Sequence, residues 1–474
     1  MQESKIINKE NLILFFSALL GSLIYISLIF NNNLWVDEAF TASLIRGNLS
    51  EVWAATAADT LPPFYNFFTK FITMMIGYSA PAMKFSSALA AVSVLFYGSF
   101  NIKKIFSFRD SLIFTAFFLT MPYFYYYAVE IRPYSWGLFF SFASALAFSE
   151  IIKFRNLSAF IKFAVFSALS GYAHHFALVA TAVFWFFLFL YLLIRRSKEI
   201  KYFLLSAAVF IVLYLPCLIL AVYQIKNASS YFSMSPLNFK SFLSDMRFPF
   251  VTHYTPLSLL LMIIFLFVFI NAFIGFIRKD FQLYCPLVFS ITPFCVLIFG
   301  YAVSFAAGSS FFTSRYLVPS LAVFWLGVSL SADYTFKNLS GIYKKVFVIF
   351  TAVTILVSGI INYRNQFISE YDNSVNDMTA WFDENLSPDD GYIIYETAYQ
   401  IELCMRYYYP GLKKYDRSNF EEIKGNIWYF EVDGFEYELD KFKDMGYNIV
   451  YIKTMSFDRY SFKLYQLQKN ESSI

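Results

Sequence analysis

The sequence predicts a polytopic, mainly α-helical membrane protein that carries a small α/β domain at its C-terminal end. Of its 474 residues, 58% are hydrophobic and only 15% are charged, which leaves too few polar side chains to coat a soluble protein of this size. Apolar runs of about 20 residues, the length that spans a bilayer, recur through the first 362 residues. From Tyr363 to Ile474 there are 12 basic and 20 acidic side chains. Soluble globular and disordered proteins are therefore excluded for the chain as a whole.

The apolar runs predict eleven membrane-spanning helices. A further apolar stretch, residues 64–77, has only fourteen residues and includes Lys70, so we expect a helix that lies on the outer surface of the membrane. The predicted spans are residues 11–30, 84–102, 111–128, 134–151, 159–174, 176–194, 202–222, 257–277, 283–304, 316–332 and 346–362.

The distribution of basic residues predicts how the chain is oriented. With the N-terminus in the cytoplasm, 17 of the 25 basic residues before Tyr363 lie on the cytoplasmic side, in agreement with the positive-inside rule. The first apolar run has no small-residue cleavage site, so it is interpreted as a span and not as a signal peptide. We therefore predict a multi-pass protein of the cell membrane. We expect a transmembrane domain at 1–362, which includes a first outer loop with surface helices at 31–83, and an extracytoplasmic domain at 363–474.

The first outer loop carries the most distinctive acidic residues. Asp37 and Glu38 directly follow the first span, and Asp59 precedes Pro62 and Pro63. Adjacent carboxylates on a helix point about 100° apart, so one could face a site while the other caps or pairs. The pair could also simply stabilise the positive N-terminal end of the next helix. The additional acidic residue Asp59 favours a functional site.

Two later outer segments supply arginines next to aromatic residues. Glu130, Arg132 and Tyr134 lie between two spans, and Arg315 and Tyr316 open the tenth span. A guanidinium can hold two phosphate oxygens at once, which suits a phosphate-bearing substrate. The alternatives are a Glu130–Arg132 ion pair, an interfacial belt of tyrosines and a snorkelling anchor at Arg315. For Arg132 we favour the functional interpretation.

Two histidines, His174 and His175, end the fifth predicted span. Because adjacent rings face different directions, at most one of them is expected to enter a site. Histidine serves interfacial and functional roles equally readily, and both remain open here.

Several classes of chemistry find no support in the sequence. The four cysteines, at positions 217, 285, 295 and 404, lack the spacing of a disulfide framework or a zinc site. Phosphate-binding loops, dinucleotide-binding glycine motifs and the motifs of zinc and serine hydrolases are missing. No cofactor is predicted with certainty, a divalent metal could be bound but is not indicated, and nucleic acid is not an expected partner.

The C-terminal segment alternates helical and strand patterns. Its role could be to position an acceptor or to support the structure. The predicted elements, in order, are a helix over 378–390 that ends near Ser387, a strand at 391–396, a helix at 399–409, a strand at 426–432, a helix at 435–446 and a strand at 448–453.

Five segments together resemble a known family. WVDEAFT, ADTLPPFY, EIRPYSWG, the two histidines and SRYLVP occur in this order. They resemble the polyprenyl-phosphate-sugar-dependent glycosyltransferases of the GT-C fold, and are most similar to the protein O-mannosyltransferase and aminoarabinose transferase-like group, glycosyltransferase family 39-like. The resemblance covers the membrane domain and, more weakly, the α/β segment. One departure is Leu61, where the family often has a histidine, and leucine can neither ligate a metal nor transfer a proton.

The resemblance implies roles for particular residues. Asp37, with Glu38 beside it, would be catalytic, and Arg132 and Arg315 would bind the phosphate of the donor. The implied substrate-binding residues are Asp59, Glu130, Tyr134, His174, His175 and Tyr316.

The expected function is transfer of a sugar from a polyprenyl-phosphate donor to a lipid, glycan or protein acceptor at the outer face of the membrane, as in cell-envelope glycan assembly or protein glycosylation. Such a reaction needs a general base and groups that stabilise the departing phosphate. The alternative is a non-catalytic flippase or carrier for a lipid-linked glycan. Polar groups throughout the membrane would favour a carrier, whereas the predicted spans are nearly free of charge.

Overall fold

In the computed structural model, helices fill the membrane domain, and among the described residues the strands lie near the C-terminal end. The structure describes residues 9–228, 237–372, 374–394, 399–416, 419–432, 439–457 and 460–469. The helices of the N-terminal part are α1 (Lys9–Ile26), α2 (Val36–Ile45), α3 (Leu49–Ala58), α4 (Phe64–Ile76), α5 (Ala80–Ile105), α6 (Phe108–Leu119), α7 (Phe124–Val129), α8 (Tyr134–Phe154), α9 (Leu157–Ala173), α10 (His175–Ile194), α11 (Ile200–Ala228), α12 (Phe239–Met246), α13 (Thr255–Ile277), α14 (Tyr284–Ala307), α15 (Val318–Asn338) and α16 (Gly341–Glu370).

Nine helices in the described part of the chain are long and apolar enough to cross a membrane, and α9 is an apolar helix of 17 residues. The nine are α1, α5, α8, α10, α11, α13, α14, α15 and α16. The last of them continues to Glu370, beyond the domain boundary predicted at Tyr363, and that boundary stays a prediction. Helix α15 is buried along nearly its whole length because α6, α8, α13 and α14 pack around it. The protein is a multi-pass membrane protein.

The span predicted at 111–128 is not one helix. Helix α6 ends at Leu119, and α7 starts only at Phe124. Between them Pro122 lacks an amide hydrogen and cannot continue the helix, and Tyr123 has a left-handed backbone with φ of 58°. The 12 residues of α6 reach about 18 Å, less than the hydrocarbon core of about 30 Å. The prediction of a continuous span is therefore wrong here.

Three short helices, α2 to α4, form the loop after α1. Helix α3 is one of the surface helices predicted within 31–83, and Asn48 caps its N-terminus by accepting hydrogen bonds from the amides of Ser50 and Glu51. Helix α4 turns its polar side inward, where Asn66 donates to Thr56 Oγ1 at 3.0 Å, while apolar residues such as Met75 are exposed. This arrangement suits a helix whose outward side meets lipid.

The C-terminal part forms a five-stranded mixed sheet with helices packed on it. The predicted strands at 391–396, 426–432 and 448–453 correspond to β1, β3 and β4. The short strand β2 and the whole of β5 were not predicted, and the helix predicted at 435–446 begins outside the described residues. The elements are α17 (Ser374–Asn385), β1 (Gly391–Ile394), α18 (Tyr399–Tyr408), β2 (Lys413–Lys414), β3 (Ile427–Val432), α19 (Leu439–Asp444), β4 (Tyr447–Phe457) and β5 (Tyr460–Lys469).

The sheet order is β2-β1-β3-β5-β4. Strands β1, β2 and β3 run parallel, whereas β5 lies antiparallel between β3 and β4. One face of the sheet packs on helices of this domain and shares an apolar cluster with residues of α2, including Ala39 and Ala42. The C-terminal part therefore sits directly against the first outer loop.

Candidate active site

The first turn of α2 places its two carboxylates in different surroundings. Glu38 is 6% exposed, and its carboxylate accepts the backbone N–H of Trp35 at 3.1 Å and that of Ile131 at 2.8 Å. It thus caps α2 and fastens it to the segment that carries Glu130 and Arg132. Burial raises the pKa of Glu38 to about 7, although the Lys84 charge and the two backbone N–H groups act in the opposite direction.

Asp37 faces the other way, toward two arginines. Arg315 Nη1 donates to Asp37 Oδ2 at 3.0 Å. Arg132 Nη1 donates to Thr41 Oγ1, one turn further along α2, at 3.1 Å and lies 3.5 Å from the main-chain oxygen of Asp37. Asp37 and Arg315 remain about a quarter exposed, with side-chain exposures of 27% and 28%. The structure therefore brings residues from three distant segments to the N-terminal end of α2.

Both arginines retain unused hydrogen-bond donors. The Nε atoms of Arg132 and Arg315 are buried and have no hydrogen-bond partner. The guanidinium carbon of Arg315 lies 5.6 Å from the ring centre of Trp35, an arrangement that orients its plane through a cation–π contact. Buried donors without partners are costly in a folded protein, so these two atoms are exceptions to the usual pairing of buried donors.

Glu130 lies at the base of this cluster. It is 2% exposed and accepts a hydrogen bond from Trp35 Nε1 at 3.0 Å, while its Oε2 has no partner. Burial raises the pKa of Glu130 well above its ordinary value. The charge of Glu38 adds to that rise, and the two arginines oppose it. Glu130 pairs with neither arginine within salt-bridge distance, so the predicted alternative of a Glu130–Arg132 ion pair is not found among the described contacts.

The two histidines point in different directions. The His174 ring is buried, with its centre 5.3 Å from that of Tyr134 and 5.4 Å from that of Tyr316. The backbone N–H of Phe176 donates to His174 Nδ1 at 3.1 Å, so a neutral ring carries its proton on Nε2. That Nε2 is buried without a partner. His175 turns away, with its Nε2 3.2 Å from the main-chain oxygen of Thr60.

Asp59 follows α3 and completes the set of acidic residues. Burial raises its pKa; Asp37 adds to the rise, and Arg132 and the Thr60 and Leu61 amides oppose it. No direct hydrogen bond joins Asp59 to the side chain of Asp37 or Arg132 in the described contacts. The raised pKa means that Asp59 holds its proton to a higher pH than an exposed aspartate does.

Sequence reasoning missed two buried polar residues that shape the site. Gln224 Nε2 donates to the main-chain oxygens of Thr56 and Leu61, both at 2.9 Å, and so holds the backbone on either side of Asp59. Lys84, 1% exposed, donates to Glu370 Oε2 at 2.7 Å. Both residues lie at the end of a strongly apolar run. Polar residues in membrane helices are rare unless they have a partner, and this is the sequence signal that could have identified them.

Metal-binding geometry is not found in the part of the chain that the structure describes. No group of three or more histidine, cysteine, aspartate or glutamate side chains there could hold a metal ion. The four cysteines are free, and none is paired in a disulfide.

The sequence itself matches no family model and no curated protein. The fold, however, is similar to that of ArnT. Two crystal structures of ArnT from Cupriavidus metallidurans, one in the apo state and one bound to undecaprenyl phosphate, match with a TM-score of 0.63 each, at 12% and 11% sequence identity. Each match covers 96% of this chain and 97% of ArnT. ArnT is an aminoarabinose transferase of the GT-C fold, and the predicted fold class is confirmed.

Proposed function

We propose that the protein is an integral-membrane glycosyltransferase that moves a sugar from a polyprenyl-phosphate donor to an acceptor. The observation that carries this proposal is the meeting of Asp37, Arg132 and Arg315 at one end of the bundle. A carboxylate beside two arginines with unused donors provides a base and an anion-binding site together. The similarity in fold to a protein that was crystallised with undecaprenyl phosphate supports this choice of donor.

The donor's phosphate would lie between the two arginines. Their free nitrogen atoms supply charge-assisted hydrogen bonds, which are roughly twice as strong as neutral ones. His174 would add one neutral donor through Nε2–H, next to Tyr134 and Tyr316. Glu130, with its raised pKa and its unpaired Oε2, would offer a hydrogen bond to a sugar hydroxyl.

In the proposed reaction, Asp37 acts as the general base. Its carboxylate takes the proton from an acceptor hydroxyl or amine, and the acceptor atom forms a bond to the anomeric carbon of the sugar. The bond between that carbon and the phosphate oxygen breaks, and its electron pair stays on the polyprenyl phosphate. Arg132 and Arg315 stabilise the charge that develops on this leaving group. A single displacement of this kind inverts the anomeric configuration.

Glu38 and Asp59 have supporting parts in this proposal. Both oxygens of Glu38 already accept backbone N–H groups, so we assign Glu38 the task of fixing the N-terminal end of α2. Asp59 lies in the segment after α3, and His175 contacts the main-chain oxygen of Thr60 in that segment; both would contact the acceptor. The proposed site faces the outside of the cell membrane, with the N-terminus in the cytoplasm.

The test is transfer itself. Purified protein in lipid nanodiscs is incubated with a panel of radiolabelled polyprenyl-phosphate sugars and a membrane extract. We expect the label to move to an acceptor and polyprenyl phosphate to be released. A flippase or carrier would instead carry intact labelled donor across the bilayer of a vesicle. Translocation of intact donor with no release of polyprenyl phosphate across the panel would contradict the proposal.

A further inference from the structure

Helix α2 is held between the candidate active site and the C-terminal domain. Toward the site it presents Asp37 and Thr41, whereas its apolar side packs on α18. Among the described residues the α2–α18 pair is the most extensive helix–helix contact between the two parts of the chain. Buried apolar side chains on the two sides of this contact form one continuous cluster: Leu34, Ala39, Ala42 and Ile45 from the first loop, and Ile401, Cys404 and Met405 from α18.

A single hydroxyl at the end of α18 fixes the segment that leads into α2. Tyr408 OH donates to the main-chain oxygen of Asn32 at 2.6 Å and accepts the main-chain N–H of Leu34 at 3.1 Å. Asn32 and Leu34 belong to the irregular segment between α1 and α2, so they have no helix or sheet partners there. The hydroxyl of Tyr408 thus satisfies two backbone groups of this segment that no helix or strand satisfies.

The two ends of α2 are tied to the same domain. At its C-terminal end, Arg46 Nη2 donates to the main-chain oxygen of Tyr407 at 2.9 Å. At its N-terminal end, besides Tyr408, Asn33 Nδ2 donates to the main-chain oxygen of Asp372 at 3.2 Å. A helix bonded at both ends can neither rotate nor slide without breaking these hydrogen bonds.

We propose that Tyr408 is a positioning residue for the transfer reaction: it holds α2 in the place where Asp37 meets Arg315. The role of Asp37 in this statement rests on the proposed function. The C-terminal domain then contributes to catalysis through α2, without itself touching the reacting atoms. A displacement of about 1 Å in a catalytic group can cost on the order of 100-fold in rate, so loss of one anchoring hydroxyl is expected to lower the rate measurably.

The chain offers a matched control one residue away. Tyr409 OH donates to the main-chain oxygen of Thr379 at 2.9 Å and lies 3.1 Å from Asp383 Oδ1, both within the C-terminal domain. Tyr408→Phe and Tyr409→Phe each remove one hydroxyl from the end of the same helix. Only Tyr408→Phe removes a bond to the segment that enters α2.

The first measurement does not depend on any activity. Amide hydrogen exchange is followed in nanodiscs for peptides that cover residues 32–45, in the full-length protein and in both variants. We expect at least about tenfold faster exchange at Leu34 and in the first turn of α2 for Tyr408→Phe, and unchanged exchange there for Tyr409→Phe. Equal exchange in the wild-type protein and Tyr408→Phe, or equal acceleration by both variants, would overturn the proposal.

The second measurement separates kcat from KM with the donor found active in the panel. Tyr408→Phe should lower kcat about tenfold with less than about a threefold change in donor KM, because the donor-binding arginines stay in place. Tyr409→Phe should match the wild-type protein. Faster exchange in α2 with unaltered kcat would overturn the positioning role. If exchange were faster in Tyr408→Phe but the wild-type protein transferred no sugar, the role of Tyr408 in holding α2 would stand and the proposed function would be rejected.

Discussion

The two ends of the membrane domain use their charges differently. At the end opposite the candidate site, Glu150 pairs with Lys104 and Lys162, and Asp333 pairs with Arg109 and Lys337. Each of these carboxylates thus has two basic partners, drawn from neighbouring helices or from its own. At the candidate site, Arg132 and Arg315 both lie beside Asp37. The Nε atom of each arginine is buried and has no hydrogen-bond partner.

Under the proposed function, this difference separates charges that stabilise packing from charges that bind the donor's phosphate. Where carboxylates and basic groups satisfy one another, a further anion would have to displace an existing partner. Under the proposed function, a bound phosphate would gain charge-assisted hydrogen bonds from the two guanidinium groups. The proposal therefore predicts anion binding at one end of the bundle only, and variants at the two ends can test it.

The largest effect is expected at Asp37. Asp37→Asn keeps the shape of the side chain but removes the base, so transfer should fall by at least about 100-fold, with expression and fold intact. The equivalent change at the other end, Asp333→Asn, should leave kcat per folded molecule within about twofold and lower only the unfolding temperature. Turnover is measured as initial rates with the identified donor, and stability is measured from thermal unfolding curves of both variants. Near-normal turnover in Asp37→Asn would contradict the catalytic assignment.

Loss of the arginines should weaken donor binding. Each charge-assisted contact is worth about 1.5–3 kcal/mol, so Arg132→Ala and Arg315→Ala should each weaken it by roughly tenfold to 100-fold. Lysine should rescue only partly, because it keeps the charge but loses the planar fork. The double variant should be non-additive, since both groups hold one phosphate.

The measurement is the dependence of transfer on donor concentration at saturating acceptor. Arg109→Ala is the control, because it removes an arginine whose partner is Asp333 at the opposite end. If Arg109→Ala changed donor dependence as much as Arg132→Ala does, the distinction between the two ends would fail.

A smaller effect is expected at His174. The backbone N–H of Phe176 fixes the Nε2–H tautomer, and a glutamine amide can offer a donor near the same position. His174→Gln should therefore stay within about twofold of wild type, whereas His174→Ala should raise donor KM roughly threefold to tenfold, as for the loss of one neutral hydrogen bond. His175→Ala should leave donor KM unchanged, because that ring contacts the Thr60 backbone. Equal effects of alanine at both positions would contradict the separation of the two histidines.

The smallest effect concerns Glu38 and pH. Its folded-state pKa of about 7 lies above the ordinary value of 4.5, so the folded protein binds this proton more tightly than the unfolded chain does. The resulting contribution to stability is fully present below about pH 4.5 and is lost as the pH rises through 7. Glu38→Gln cannot titrate, so its unfolding temperature should fall less between pH 5 and pH 8 than that of the wild-type protein. An equal fall in the unfolding temperature of both proteins would show that Glu38 does not titrate in this range. In the transfer assay, Glu38→Gln should lower turnover less than Asp37→Asn does.

Most of the fold could be predicted from local sequence because span length and apolar composition are properties of one continuous segment. The failures have local reasons too. Residues 111–128 are apolar enough for a span, but Pro122 divides them. Strand β5 lies between β3 and β4 in the sheet. It was missed because its place depends on pairing with these two strands, and no local sequence pattern specifies that pairing. Sequence spacing also could not reveal that α16 continues to Glu370, where that residue meets the buried Lys84.

The chemical groups of the candidate site could be listed from the sequence: a carboxylate pair after the first span, two arginines beside aromatic residues, and two histidines at the end of a span. Which member of each pair faces the cluster depends on how the helices pack. Asp37 meets Arg315 across 278 residues of sequence, Glu38 turns to the backbone, and His174 rather than His175 packs between Tyr134 and Tyr316. The physical reason is that adjacent side chains differ in direction, and helix packing alone sets which direction leads to the site.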